Sequence, residues 1–154
     1  FDDALICLKE MVDMLSLELI EKHMVASGVS LGVGYSRDVA PSTGGSERLS
    51  EQTSSYDKLV KEFESIYRRT TRRTAPIRKL SIAFTNIVDE DHATLQPDLF
   101  SQRGEDEKER KMQEAVLAIK QKFGKNALLR GMSYTDKATA RVRNKLIGGH
   151  NGGE

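Results

Sequence analysis

The chain has 154 residues, 38% hydrophobic and 31% charged, with a formal net charge of +1, a size that suits one domain with a core needing neither disulfides nor structural metal. The single cysteine, Cys7, excludes a disulfide framework and a cysteine-rich zinc module, and His23, His92 and His150 lack ligand spacing. No apolar run approaches the roughly 20 residues of a membrane span and the chain opens Phe1-Asp2-Asp3 rather than on a signal sequence, so a cytoplasmic protein with no membrane partner is expected.

Leu5, Leu8, Val12, Leu15 and Leu19 recur at helical steps and predict an amphipathic helix over 3 to about 24, capped by Asp2 or Asp3. Cys7, Met11, Met14 and Met24 read as packing residues on or near it. Val29, Leu31, Val33 and Tyr35 alternate with Ser30, Gly32, Gly34 and Ser36, a strand with one apolar and one small polar face. Because a strand continues after it, Gly32-x-Gly34 is not a dinucleotide fingerprint. After the turn-rich Pro41-Ser42-Thr43-Gly44-Gly45, a return strand is expected from Ser46 to about Thr53. Ser54 or Ser55 then caps a second helix that runs to Arg69 with Leu59, Val60, Phe63, Ile66 and Tyr67 on one face.

Beyond Pro76, Leu80, Ile82, Phe84 and Val88 alternate with Lys79, Ser81, Ala83 and Thr85, another strand. Residues 89–105 have no period and form a long loop. A third helix is expected from about Glu107 to Phe123, with Met112, Ala115, Val116, Ile119 and Phe123 turned inward and Gly124 as its stop. Asn126 to Gly131 suits a short last strand, and 132–154 holds too few apolar residues to pack and is expected to be a mobile tail. The resulting architecture is α+β, with residues 1–131 forming one mainly antiparallel sheet, helices packed on one face and the other face open.

Charge is segregated along the chain. Residues 1–26 carry six acids against two bases and 89–109 eight against two, whereas 61–80 carry seven bases against two acids and 125–146 six against one. The basic cluster from Arg68 to Lys79 contains no acid and points to an anionic partner. If the helices cover the apolar face, the open face shows Ser30, Gly32, Gly34, Ser36, Lys79, Ser81 and Thr85, with Arg37, Arg48 and Arg78 at or beside the strands. Glycines there let another backbone come close, and hydroxyl, guanidinium and ammonium groups suit phosphate oxygens. Outward aromatics are missing, so backbone contact along a duplex fits better than base stacking on single-stranded RNA.

Val33-Gly34-Tyr35-Ser36-Arg37-Asp38, Gly44-Gly45 with Leu49, Pro76-Ile77-Arg78-Lys79-Leu80-Ser81-Ile82, Asn86-Ile87-Val88-Asp89 and the tail Arg143-Asn144-Lys145-Leu146-Ile147-Gly148-Gly149-His150 occur in that order. Together they resemble the C-terminal little-finger domain of Y-family translesion DNA polymerases, in the ImpB/MucB/SamB, UmuC-like bacterial branch. The resemblance implies DNA repair and damage-induced mutagenesis of the SOS type, with the open sheet lying along duplex or primer-template DNA. Two features depart from it. The family's domain normally begins with a strand before its first helix, and the carboxylates that bind two metals are missing, since the best acidic cluster, Asp89-Glu90-Asp91, opens a loop. The expected fragment is therefore non-catalytic and without a cofactor of its own, its parent being a DNA-directed DNA polymerase that uses Mg2+ in a palm domain outside this chain.

Gln96-Pro97-Asp98-Leu99-Phe100 resembles the pentapeptide by which bacterial polymerases bind the sliding clamp, with Leu99 and Phe100 as apolar anchors and Gln96 at the rim. Pro97 stands where the usual anchor is leucine and stiffens the peptide toward an extended form. The rival reading from another class is a free-standing α+β regulatory or protein-interaction module whose sheet face is a dimer interface.

Overall fold

The computed structural model describes residues 1–92, 103–147 and 150–151. Its elements run α1 (Asp2–Glu21), β1 (Met24–Tyr35), β2 (Thr43–Thr53), α2 (Tyr56–Thr70), β3 (Ile77–Asp89), a 3-10 turn (Glu90–His92), α3 (Arg103–Phe123), a second 3-10 turn (Gly131–Tyr134), α4 (Ala140–Arg143) and the short pair β4 (Leu146–Ile147) and β5 (His150–Asn151). The period-two pattern of β1 makes it the central strand of a three-stranded antiparallel sheet ordered β2-β1-β3. Both α1 and α2 pack on one face of that sheet, the α+β arrangement that the alternation predicts.

Val29, Leu31, Val33 and Tyr35 point from β1 into the core against Leu5, Leu8 and Val12 of α1 and Leu59, Phe63, Ile66 and Tyr67 of α2. Leu80, Ile82 and Phe84 of β3 are partly buried on the same side, and Phe63 meets Phe84 with ring centroids 5.8 Å apart. Each large side chain so buried contributes about 1.5–3 kcal/mol. Ser55 caps α2 by accepting a hydrogen bond from the Lys58 backbone N–H at 3.3 Å.

The boundaries differ from expectation in places that have physical causes. Phe1, not Asp2 or Asp3, is the N-cap of α1, and the two aspartates lie in its first turn, where the helix dipole favours them. The helix stops at Glu21 because His23 turns the chain at φ 53°, so Met24, Val25 and Ala26 extend β1 instead of α1 and pair with Asp89, Val88 and Ile87. Strand β2 begins at Thr43, taking in part of the anticipated turn. Met14 and Met112 are exposed rather than packed inside.

Helix α3 begins at Arg103, and Gly124 ends it at φ 104°. Its docked side is mixed: Gln113 is buried and Val116 and Leu117 are half-buried, whereas Met112, Ile119 and Phe123 are 59%, 38% and 69% exposed. Polar bonds to distant residues set that orientation. Arg110 donates to both carboxylate oxygens of Glu90 at 2.9 Å, the Glu109 carboxylate accepts from Ser55 and from the Asp57 N–H, and the Gln113 side-chain amide donates to the Ser54 carbonyl. Burial works against the charged form of Arg110, but hydrogen bonds to Glu90 and Glu114 outweigh it and raise its pKa.

No strand forms from Asn126 to Gly131; that stretch turns into the 3-10 segment. Nor does the chain stand off beyond Gly131 as a tail up to Arg143. One oxygen of the buried Glu10 carboxylate accepts from the Thr139 and Ala140 N–H groups at 3.0 and 3.1 Å and from Arg143 at 3.3 Å, and Arg130 pairs with Asp13 at 2.9 Å. Polar docking replaces the apolar packing this segment lacks. Residues 148–149 and 152–154 lie outside the described residues, as does the pentapeptide Gln96 to Phe100. Among the described residues no helix is long and apolar enough to cross a membrane.

Candidate nucleic-acid interface

The outward side of β1 is a column of Gly28, Ser30, Gly32 and Gly34, and antiparallel register fixes what flanks it. Gly28 lies between Arg48 and Thr85, Ser30 between Ser46 and Ala83, Gly32 between Gly44 and Ser81, and Gly34 beside Lys79. Directly paired residues share a face, so seven of the expected site residues, Ser30, Gly32, Gly34, Arg48, Lys79, Ser81 and Thr85, lie on one surface. The result is a shallow trough of small residues with hydroxyl and basic side chains at its sides.

Close packing requires glycine at two of these positions. A Cβ on Gly28 would sit 2.0 Å from the Thr85 hydroxyl, and one on Gly44, whose φ is 135°, would sit 2.0 Å from the Leu31 carbonyl oxygen. Ser46 donates to the Ser30 hydroxyl at 2.9 Å, tying β2 to the trough floor. Arg78 comes to the surface by a different device. Gly34 pairs with Lys79 and Tyr35 with Ile77, which leaves Arg78 as the extra residue of a β-bulge, exposed at the sheet rim.

Ser36 and Arg37 are not on the sheet itself. Both lie in the β1–β2 connection, where the Ser36 carbonyl accepts from the Val39 and Ala40 N–H groups and Arg37 is exposed. Arg37, Arg48, Arg78 and Lys79 form no ion pair among the described residues.

The basic run as a whole does not serve one surface. Arg68 bonds Glu64 at 2.6 Å and Arg69 bonds Glu47 at 2.5 Å on the helix side of the sheet, while Arg73 stacks 4.4 Å from the Phe1 ring centroid. Burial works against the charge on Glu64, but hydrogen bonds from Arg68 and Lys9 outweigh it and lower its pKa. The absence of acids between Arg68 and Lys79 was therefore no guide to which cations are free, since Glu47 comes from another strand. Conversely, Arg72 is an exposed cation that the strand pattern did not single out. Its N–H donates to the Tyr35 hydroxyl at 2.9 Å, which places it at the same sheet end as Arg37, Arg78 and Lys79. Asp89, Glu90 and Asp91 occupy the opposite end, so the field runs from positive to negative along the strands.

Among the described residues no group of three or more His, Cys, Asp or Glu side chains is placed to hold a metal ion. What the arrangement offers is one surface of small residues with exposed cations and hydroxyl donors.

Residues 1–99 match the model of the impB/mucB/samB family C-terminal domain, a span that contains the whole trough. The "Putative UV-damage repair protein UvrX" of Bacillus subtilis (strain 168) is 34% identical over 136 residues, covering 83% of this chain and 30% of that protein. The chain thus spans about three tenths of the relative's length. No solved structure matches it.

Proposed function

The chain belongs to the impB/mucB/samB C-terminal domain family, and on that premise we propose that it is the DNA-gripping domain of a translesion polymerase acting in DNA repair. The observation that carries this reading is the β1 trough, bordered by Arg48, Lys79 and the bulged Arg78, none of which is neutralised by a neighbour among the described residues. The floor is low enough for a sugar-phosphate backbone to approach. Ser30, Ser81 and Thr85 donate hydroxyl hydrogen bonds to phosphate oxygens, while Arg37, Arg48, Arg78 and Lys79 supply the attractive field. Contacts of this kind hold the duplex without reading its sequence, which suits a domain that must follow a template whatever its bases or lesions. Nucleotide addition is assigned to domains of the parent protein outside this chain.

The same reading gives Gln96, Pro97, Asp98, Leu99 and Phe100 the role of a tether to the bacterial sliding clamp, supported by the sequence of the pentapeptide alone. Leu99→Ala with Phe100→Ala is expected to abolish clamp binding while leaving duplex affinity unchanged.

The test of the DNA role is an anisotropy titration of labelled duplex and primer-template DNA over a series of salt concentrations. Engagement of about three to five phosphates gives a slope of log K against log salt of roughly −3 to −5. A flat salt response, or salt-insensitive self-association through the sheet with no DNA binding, refutes the assignment.

A further inference from the structure

Helix α3 docks through Gln113 with Val116 and Leu117 half-buried, and leaves a second apolar stripe in water. An amphipathic helix normally buries its apolar stripe and leaves its polar face in water. Here Glu109, Arg110 and Gln113 face the domain, and Met112, Ala115, Ile119 and Phe123 face outward. We propose that this stripe is a docking surface for an amphipathic helix of a second protein, one whose apolar face is bordered by carboxylates.

Shape and charge each support that occupant. From Met112 to Phe123 the stripe runs about 16 Å along the helix axis at about 1.5 Å per residue, three turns of anchors at the spacing a partner helix reads. It adjoins a groove of about 290 Å³ between α3 and the Leu128 to Arg130 segment, walled by Met112, Val116, Leu128 and Leu129. Its only lining carboxylate among the described residues, Asp13, is paired with Arg130. The border of the stripe is basic: Lys111 and Lys122 project on one side of it and Lys108 stands at its N-terminal end, all three exposed and without an ion pair among the described residues. A second copy of this chain would bring lysines against lysines along that border. Partner carboxylates would be attracted to it, and an exposed apolar patch with a charged rim is the usual mark of a protein interface. The surface lies beyond residues 1–99 that match the family model, so it stands or falls independently of the DNA-binding reading.

The chain contains no tryptophan, so a synthetic probe carrying one reports binding without background. The probe is a helical peptide with leucines at i, i+3/i+4 and i+7, glutamates bordering them and a single tryptophan. Titration with the 154-residue chain is expected to shift its emission to the blue and to saturate. Met112→Ser with Phe123→Ser, both exposed positions, should leave the melting curve unchanged and weaken binding by about tenfold or more, as loss of central apolar anchors does. Replacing the peptide's glutamates by lysines should abolish binding. The proposal is overturned if the glutamate peptide does not bind, if the lysine peptide binds equally well, or if the double variant binds at full strength. It is also overturned if sedimentation shows the stripe pairing two copies of the chain, or if phosphatidylserine vesicles capture the chain through the same two residues.

Discussion

Gly32→Leu is expected to separate folding from the proposed DNA binding. A Cβ at this position meets only the Ser81 Cβ, at 3.7 Å, which is ordinary contact, and the backbone there is not left-handed. Leucine should therefore enter the strand with a stability change within about 0.5 kcal/mol, since losing glycine's flexibility offsets any crowding. Its side chain then stands in the middle of the trough, between Gly44 and Ser81, and holds a phosphate backbone away from the Ser30 and Ser81 hydroxyls. Loss of one hydrogen bond to a charged phosphate costs about 1.5–3 kcal/mol, a drop in affinity of roughly tenfold to a hundredfold. Gly44→Ala is the contrasting variant. With φ at 135° and a Cβ 2.0 Å from the Leu31 carbonyl oxygen, it should lose about 1–3 kcal/mol to strain and lower the melting temperature by several degrees. Thermal melts and anisotropy at fixed salt measure both quantities on the same samples. Unchanged DNA affinity in a stably folded Gly32→Leu protein would refute the trough as the contact surface.

Three further outcomes follow from the same geometry. Arg78→Ala with Lys79→Ala removes two exposed cations without ion pairs among the described residues, so stability should hold within about 0.5 kcal/mol while the salt slope becomes shallower by about 2; an unchanged slope would contradict it. Glu10→Ala leaves the Thr139 and Ala140 N–H groups and Arg143 without their shared acceptor, at a cost of about 1–3 kcal/mol. Hydrogen exchange should then show lost protection at residues 139–140 with the sheet unaffected, and intact protection there would show that the carboxylate does not hold this segment. Burial pushes the Tyr56 and Tyr67 hydroxyls from the ordinary 10 up to about 12. Below pH 10 both folded and unfolded states are neutral and stability is full; above it the unfolded chain ionises first, so stability falls as pH rises toward 12. Urea titrations should show this alkaline slope, reduced in Tyr67→Phe, and a slope identical to wild type would contradict the assignment.

The sheet was legible because β1 and β3 repeat every two residues, and a period of two names both the buried and the open face. Helix α2 was equally legible from its stripe and its Ser55 cap. The start of β1 was not, because Met24, Val25 and Ala26 are apolar and continue the α1 pattern until His23 breaks the chain direction. Periodicity also named the residues that share a face of α3 without saying which face docks; that was decided by Glu90, Ser54 and Ser55, far away in sequence. Among the candidate site residues, alternation found the trough. It could not foresee that Glu47 would neutralise Arg69, that a bulge would expose Arg78, or that Arg72 would join the basic end.

Amide chemical-shift mapping shows whether DNA meets the open face of the sheet. On titrating the isotope-labelled chain with an unmodified duplex, shifts are expected to concentrate at Gly28, Ser30, Gly32, Gly34, Arg48, Lys79, Ser81 and Thr85, with α1, α2 and α3 silent. Shifts confined to the helix layer, or to the stripe of α3, would contradict contact through that face.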